Sequence, residues 1–186
     1  MILKRIGFID YRLDNYHAEV YLQALRGPLA IRGYEVAGAT SLERSVSQAW
    51  AVERDLPYFD SVEALNRAVD GFIVLAPANP EVHLELCQQV LPLGKPTFVD
   101  KTFAPDELTA RAIFALADAC DAPIQTTSAL RSTAVQSFVR ELPSTVQSMI
   151  VYSSGTSFAE YGIHPVELVV SCMGHDARQI MRMGPE

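Results

Sequence analysis

From Ile2 to about Asp121 the chain alternates between two rhythms. Short runs of β-type apolar residues give way to longer stretches in which apolar side chains recur every three or four positions. Ile2 to Ile9 reads as a strand. Ala18, Tyr21, Leu22 and Leu25 then follow helical spacing until Gly27 and Pro28. Tyr34 to Ala39 is a second strand, followed by a helix carrying Val46, Ala49 and Trp50. A short strand near Tyr58 and a helix capped near Ser61, burying Leu65, Ala68 and Val69, come next. Gly71 to Ala76 is unbroken apolar sequence, as in a central strand buried on both faces. Asn79 and Pro80 set a helix start, with Glu81 where the helix dipole favours an acid, and Gly94 closes that helix. Pro96 to Val99 is the next strand, and Pro105, Asp106 and Glu107 open a helix with Leu108, Ala112 and Leu116 on one face. The alternation predicts an α/β fold with a doubly wound parallel sheet over residues 1–121.

The pattern changes after Pro123. An amphipathic helix from Ser132 to Leu142 carries Val135, Phe138, Val139 and Leu142 in register, with Pro143 behind it. Strand-like Val146 to Tyr152, a helix from Pro165 to Met173 and strand-like Ala177 to Met183 complete the chain. Residues 122–186 are therefore expected to form a small, partial α+β unit for substrate binding or oligomerisation. Two strands make a marginal sheet alone, so this unit needs a partner surface.

Composition narrows the field. The 186 residues suffice for one domain plus a small appendage. A net charge of -7 argues against nucleic acid or an anionic membrane as the main partner, since both require a positive footprint. No apolar run approaches the roughly 20 residues of a membrane-spanning helix, and the amino terminus lacks signal-peptide architecture. The three cysteines, Cys87, Cys120 and Cys172, are scattered and lack metal-ligand spacing. They read as reduced packing residues, and the protein as cytoplasmic.

Two places carry candidate chemistry. Lys101 follows the strand ending at Val99, at the edge where open parallel sheets bind ligands, and partial burial there would suit it to proton transfer. His164 precedes Pro165 and so reads as an N-cap-like residue, with Glu160 four positions earlier as a possible partner and Glu167 supporting the helix dipole. His17 and His83 read as packing or hydrogen-bonding residues, His175 as an exposed turn residue and Arg131 as a possible anion contact. A dinucleotide-binding unit would carry G-x-G-x-x-G after its first strand. Here the strand containing Gly7 runs into Asp10, Tyr11, Arg12, Leu13, Asp14 and Asn15, where two carboxylates oppose a diphosphate and only Arg12 compensates. The second strand ends at Thr40 and Ser41 rather than at an acid suited to a ribose.

The segment VLAPANPEVHLELCQQVLPLGKPTFVDKTFA resembles the P-N-x-x-H helix, G-K-H/P turn and E-K-P element of the Gfo/Idh/MocA family of oxidoreductases. The later ExxxH before an apolar helix is similar to that family's D-x-x-x-H element. The resemblance implies a Rossmann-type fold and NAD- or NADP-dependent hydride transfer to or from a small sugar, cyclitol or polyol. Lys101, His164 and Glu160 would then be the catalytic group, and Gly7, Asp10, Arg12, Ser41, Pro77 and Asn79 would lie along the cofactor. No metal is implied. Asp100, Thr102 and Glu160 depart from the family's Glu, Pro and Asp, and the glycines are missing. The family's second domain normally carries a large sheet, so this chain is expected to be a natural short form or a piece of a longer protein, and to form a homodimer that covers its sheet edge. The alternative reading is a non-catalytic sensor or partner subunit that binds a nucleotide or sugar in the same cleft.

Overall fold

The computed structural model describes residues 4–176 together with Gln179 and Met181. The chain divides into two compact units, Met1–Thr126 and Thr127–Glu186. Strands β1 (Lys4–Asp10), β2 (Tyr34–Ser41), β3 (Gly71–Val74), β4 (Thr97–Val99) and β5 (Ile124–Thr126) form one sheet in the order β2-β1-β3-β4-β5. Every pairing is parallel. Because β5 pairs with β4, the first unit reaches past residue 121 to Thr126.

Consecutive side chains on a strand point to opposite faces, and here both faces are covered. Phe8, Ile73 and Leu75 pack with Leu22, Leu25 and Trp50 from α1 (Tyr16–Arg26) and α2 (Arg44–Glu53). Their neighbours Ile9, Phe72 and Val74 pack on the other face. Leu65 of α3 (Val62–Asn66), Leu86 and Val90 of α4 (His83–Val90) and Ile113 of α5 (Glu107–Ala119) cover them. This is why the third strand's run is apolar without alternation. Gly7 sits at a register shift between β1 and β2, and a Cβ there would come within 2.9 Å of the Leu65 side chain.

Several expectations shift in detail. The strand near Tyr58 is a single parallel bridge to Ala39. The buried face of α2 is Ser47, Trp50 and Ala51, whereas Ala49 is exposed. In α5 the buried residues are Ile113 and Ala117, and Leu108 is 80% exposed. Asp106 caps α5 by accepting from Thr109 N, which fixes where the helix begins.

The second unit, as far as it is described, is built of helices and irregular chain. α6 (Ala134–Glu141) opens on a capping box between Thr133 and Gln136. Its buried residue is Gln136, which donates to Leu130 O and Ser171 Oγ, whereas Val135 and Phe138 face outward. α7 (Phe158–Tyr161) and α8 (Ile163–Met173) follow. Val146 to Tyr152 is irregular chain instead of a strand, with Ile150 and Tyr152 exposed, so no apolar alternation is buried there. The strand expected from Ala177 to Met183 lies largely outside the described residues.

Candidate functional site

The carboxyl ends of β1 and β3 are joined by a buried carboxylate. Asp10 closes β1 and is 1% exposed. Its Oδ1 accepts from the backbone N–H groups of Ala76 at 3.0 Å and Arg12 at 3.2 Å, and its Oδ2 accepts from Asn15 Nδ2 at 2.8 Å. Burial pushes the Asp10 carboxyl up to about 7, and the hydrogen bonds from Asn15, Arg12 and Ala76 offset part of that rise. Asn15 also caps α1, its Oδ1 accepting from Ala18 N at 3.0 Å.

The remaining donors of this turn are engaged in the same way. Leu13 N donates to the buried Ser47 Oγ at 3.0 Å, and Asn15 N donates to Leu13 O at 2.8 Å. Arg12 forms a forked pair with Asp14 at 2.5 Å, which holds the Asp14 carboxyl below its usual range. Glu43 lies within 3.9 Å of Arg12 and accepts from the Tyr11 hydroxyl at 2.7 Å. Ser41 Oγ donates to Glu43 O and meets Tyr58 OH, each at 3.0 Å.

At the ends of β3 and β4 two histidines tie elements together. His83, fully buried at the start of α4, places Nδ1 3.0 Å from Phe103 O and Nε2 2.5 Å from Leu75 O. It thus joins the segment after β3 to the segment after β4. Asn79 precedes a 3-10 turn, Pro80–Val82, and makes no side-chain cap, so α4 proper begins at His83 rather than at Pro80. Pro77 lies in the same connection, directly after Ala76. Asp100, 1% exposed, accepts from His17 Nδ1 of α1 and from the Tyr21 hydroxyl at 3.3 Å. Burial first, and Asp100 second, raise the Tyr21 hydroxyl's pKa. Lys101 follows directly and is 6% exposed, and its bond to Thr102 is cis.

In the second unit His164 lies inside the first turn of α8, two residues past the N-cap Gly162, because the helix begins at Ile163. Pro165 sits among the first residues of a helix, where it has no amide hydrogen to leave unpaired. His164 Nδ1 meets Ser128 Oγ at 2.6 Å and its ring lies 6.1 Å from that of Tyr161. Glu160 is anchored in its own turn, its backbone N–H donating to Ser157 Oγ and its Oε2 accepting from Thr156 Oγ1 at 3.4 Å. Arg131, read as an anion contact, donates to Glu167 at 2.8 Å. Lys101 belongs to the first unit, and His164 and Glu160 to the second.

The resemblance implies a nicotinamide dinucleotide, whose diphosphate would be held by free backbone N–H groups in the turn after β1. The residues present do not fit it. The amides of Arg12, Leu13, Asn15 and Ala76 are each bonded to the protein's own oxygens. Asp10, Asp14 and Glu43 surround a single Arg12, whose guanidinium already faces two of them. Among the described residues no group of His, Cys, Asp and Glu is arranged to hold a metal ion.

Two described hollows lie elsewhere. One of about 770 Å³ runs between α1 and α2 along Tyr16, Trp50 and the Glu19–Arg54 pair. Another of about 440 Å³ lies at the amino-terminal ends of the strands, near Gly71, Pro96 and Pro123. Neither is lined by Lys101.

No protein-family model matches the chain, and no curated protein matches it. Solved structures do. An oxidoreductase from Thermotoga maritima is 22% identical at a TM-score of 0.62, over 75% of this chain and 42% of that one. An NAD-binding protein from Listeria innocua is 18% identical at 0.57, over 73% and 38%. The UDP-N-acetylglucosamine 3-dehydrogenase GnnA from Acidithiobacillus ferrooxidans is 23% identical at 0.53, over 67% and 38%. The chain thus spans less than half the length of each. These likenesses establish the fold: a Rossmann-like α/β sheet of the kind oxidoreductases and dehydrogenases use. Among the described residues no helix is long and apolar enough to cross a membrane.

Proposed function

We propose that this chain is the sheet-bearing part of an oxidoreductase-fold protein that binds a small polyhydroxylated ligand, a sugar or cyclitol, at the carboxyl edge of the sheet beside Lys101. It does so without a dinucleotide cradled in the turn after β1. The observation that carries this reading is Asp10, whose buried carboxyl group takes the Arg12 amide of that turn and, from the segment after β3, the Ala76 amide. An anion brought to that turn would meet acidic side chains and no free amide from Arg12, Leu13 or Asn15. The resemblance of the sequence around Lys101 would make it a ligand-facing lysine, and a primary ammonium suits hydroxyl and carbonyl oxygens.

Calorimetric titration with a panel of cyclitols and aldoses tests the reading. Replacing Lys101 with Met keeps its length and removes its charge, and is expected to weaken polyol binding by about tenfold or more, the scale of one hydrogen bond to a charged group. Equal affinities in the two proteins would sink the assignment.

The second reading is hydride transfer with NAD or NADP. It is favoured by the burial of Lys101 at the end of β4 and by the fold shared with dehydrogenases. It requires the turn after β1 to open. Oxidation of a polyol with reduction of added NAD or NADP would support it over simple binding.

A further inference from the structure

Beside Lys101 lies a side-chain set that neither reading uses. We propose that His17, held by Asp100, is a ligand-recognition residue at the carboxyl end of β4, presenting Nε2 to a hydroxyl of the bound polyol. This rests on the proposal that a polyol binds at that edge.

Three observations carry it. Asp100 is buried and accepts from both His17 Nδ1 and the Tyr21 hydroxyl, so the ring is held by one nitrogen at a fixed carboxylate. A carboxylate on one ring nitrogen fixes the proton there and leaves the other nitrogen as the acceptor on offer. Next, 24% of the His17 side chain is exposed although its carboxylate is not, so the clamp is closed on the protein side and open toward solvent. Finally, Asp100 immediately precedes Lys101 at the strand end where open α/β sheets bind ligands. One residue further on, Thr102 Oγ1 is buried without a hydrogen-bond partner among the described residues. Through Asp100, His17 is thus tied to the strand end that carries Lys101. A polyol hydroxyl both gives and takes a hydrogen bond, so it can donate to the open imidazole nitrogen.

A purely structural role, pinning α1 to β4, is the competing account, and one substitution separates the two. In His17→Asn the side-chain amide can still donate to Asp100 from the place of Nδ1, but nothing stands where Nε2 was. Chemical-shift titration of the 15N-labelled chain with myo-inositol and with D-glucose supplies the readout. For the unaltered protein the expected result is saturable shifts at the Lys101 and Thr102 amides. For His17→Asn it is an unchanged melting temperature and about tenfold weaker binding. Binding of equal strength in the two proteins would overturn the role of His17 and leave the polyol reading standing. A lowered melting temperature with undiminished affinity would assign His17 to structure alone. No shift in the unaltered protein with either probe would overturn both.

Discussion

Asp10 is the residue on which the account turns, and its chemistry makes a prediction about pH. Its carboxyl is raised from 3.8 to about 7 by burial, so between those values the folded protein holds a proton that the unfolded chain has released. Its stabilising contribution is therefore complete below the unfolded value and is lost as the pH climbs through the folded one. Relative to an Asp10→Asn variant, the unfolding free energy should fall by about 2 kcal/mol from about pH 5 to about pH 7.5. Urea unfolding at several pH values measures this, and a difference that stays flat would contradict it. Lys101 was legible in the sequence because a strand end is a place, and place follows from pattern. The role of Asp10 was legible only in part. Its opposition to a diphosphate follows from charge, whereas its hold on Ala76 is a contact across 66 positions that no local pattern encodes.

Helices and strands were readable wherever a cap or an apolar run fixed them. Ser61 and Asp106 each accept a backbone N–H at a helix start that the sequence marks, whereas Asn15 and Thr133 do the same at starts not assigned to them from the sequence. Phase was harder. In α2 the core takes Ser47 and Ala51 beside Trp50 and leaves Ala49 out, and in α5 it takes Ile113 and Ala117 and leaves Leu108 out, because small residues suit the close approach to the sheet. Val146 to Tyr152 reads as strand-like but pairs with no strand among the described residues, and pairing is a property of the sheet rather than of the segment. At this scale Asn15 is the sensitive point, since it both caps α1 and donates to Asp10. Asn15→Ala should cost about 1–2 kcal/mol from the cap alone, and more with the loss of the Asp10 contact. Thermal unfolding reads this, and a variant as stable as the parent would show that the turn holds itself without Asn15.

The whole first unit follows from alternation, since β-α repeats admit few topologies other than a parallel sheet with both faces covered. The order β2-β1-β3-β4-β5 and the likeness to oxidoreductase structures agree with that derivation. The three-residue strand β5 escaped the reading because its short run, Ile124 to Thr126, carries a single large apolar residue. The second unit leaves Phe138, Ile150 and Phe158 exposed, and we propose that a second copy of the chain covers such apolar surface. Light scattering should return twice the chain mass of 20.5 kDa, and the single mass would overturn the dimer. The central claim, that the turn after β1 is closed to a dinucleotide by the protein's own carboxylates, is tested most directly by calorimetric titration with NADH and NADPH. No saturable heat is expected from either cofactor up to about millimolar concentration. Saturable binding in the micromolar range, with shifts at the Arg12 and Ala76 amides, would contradict it.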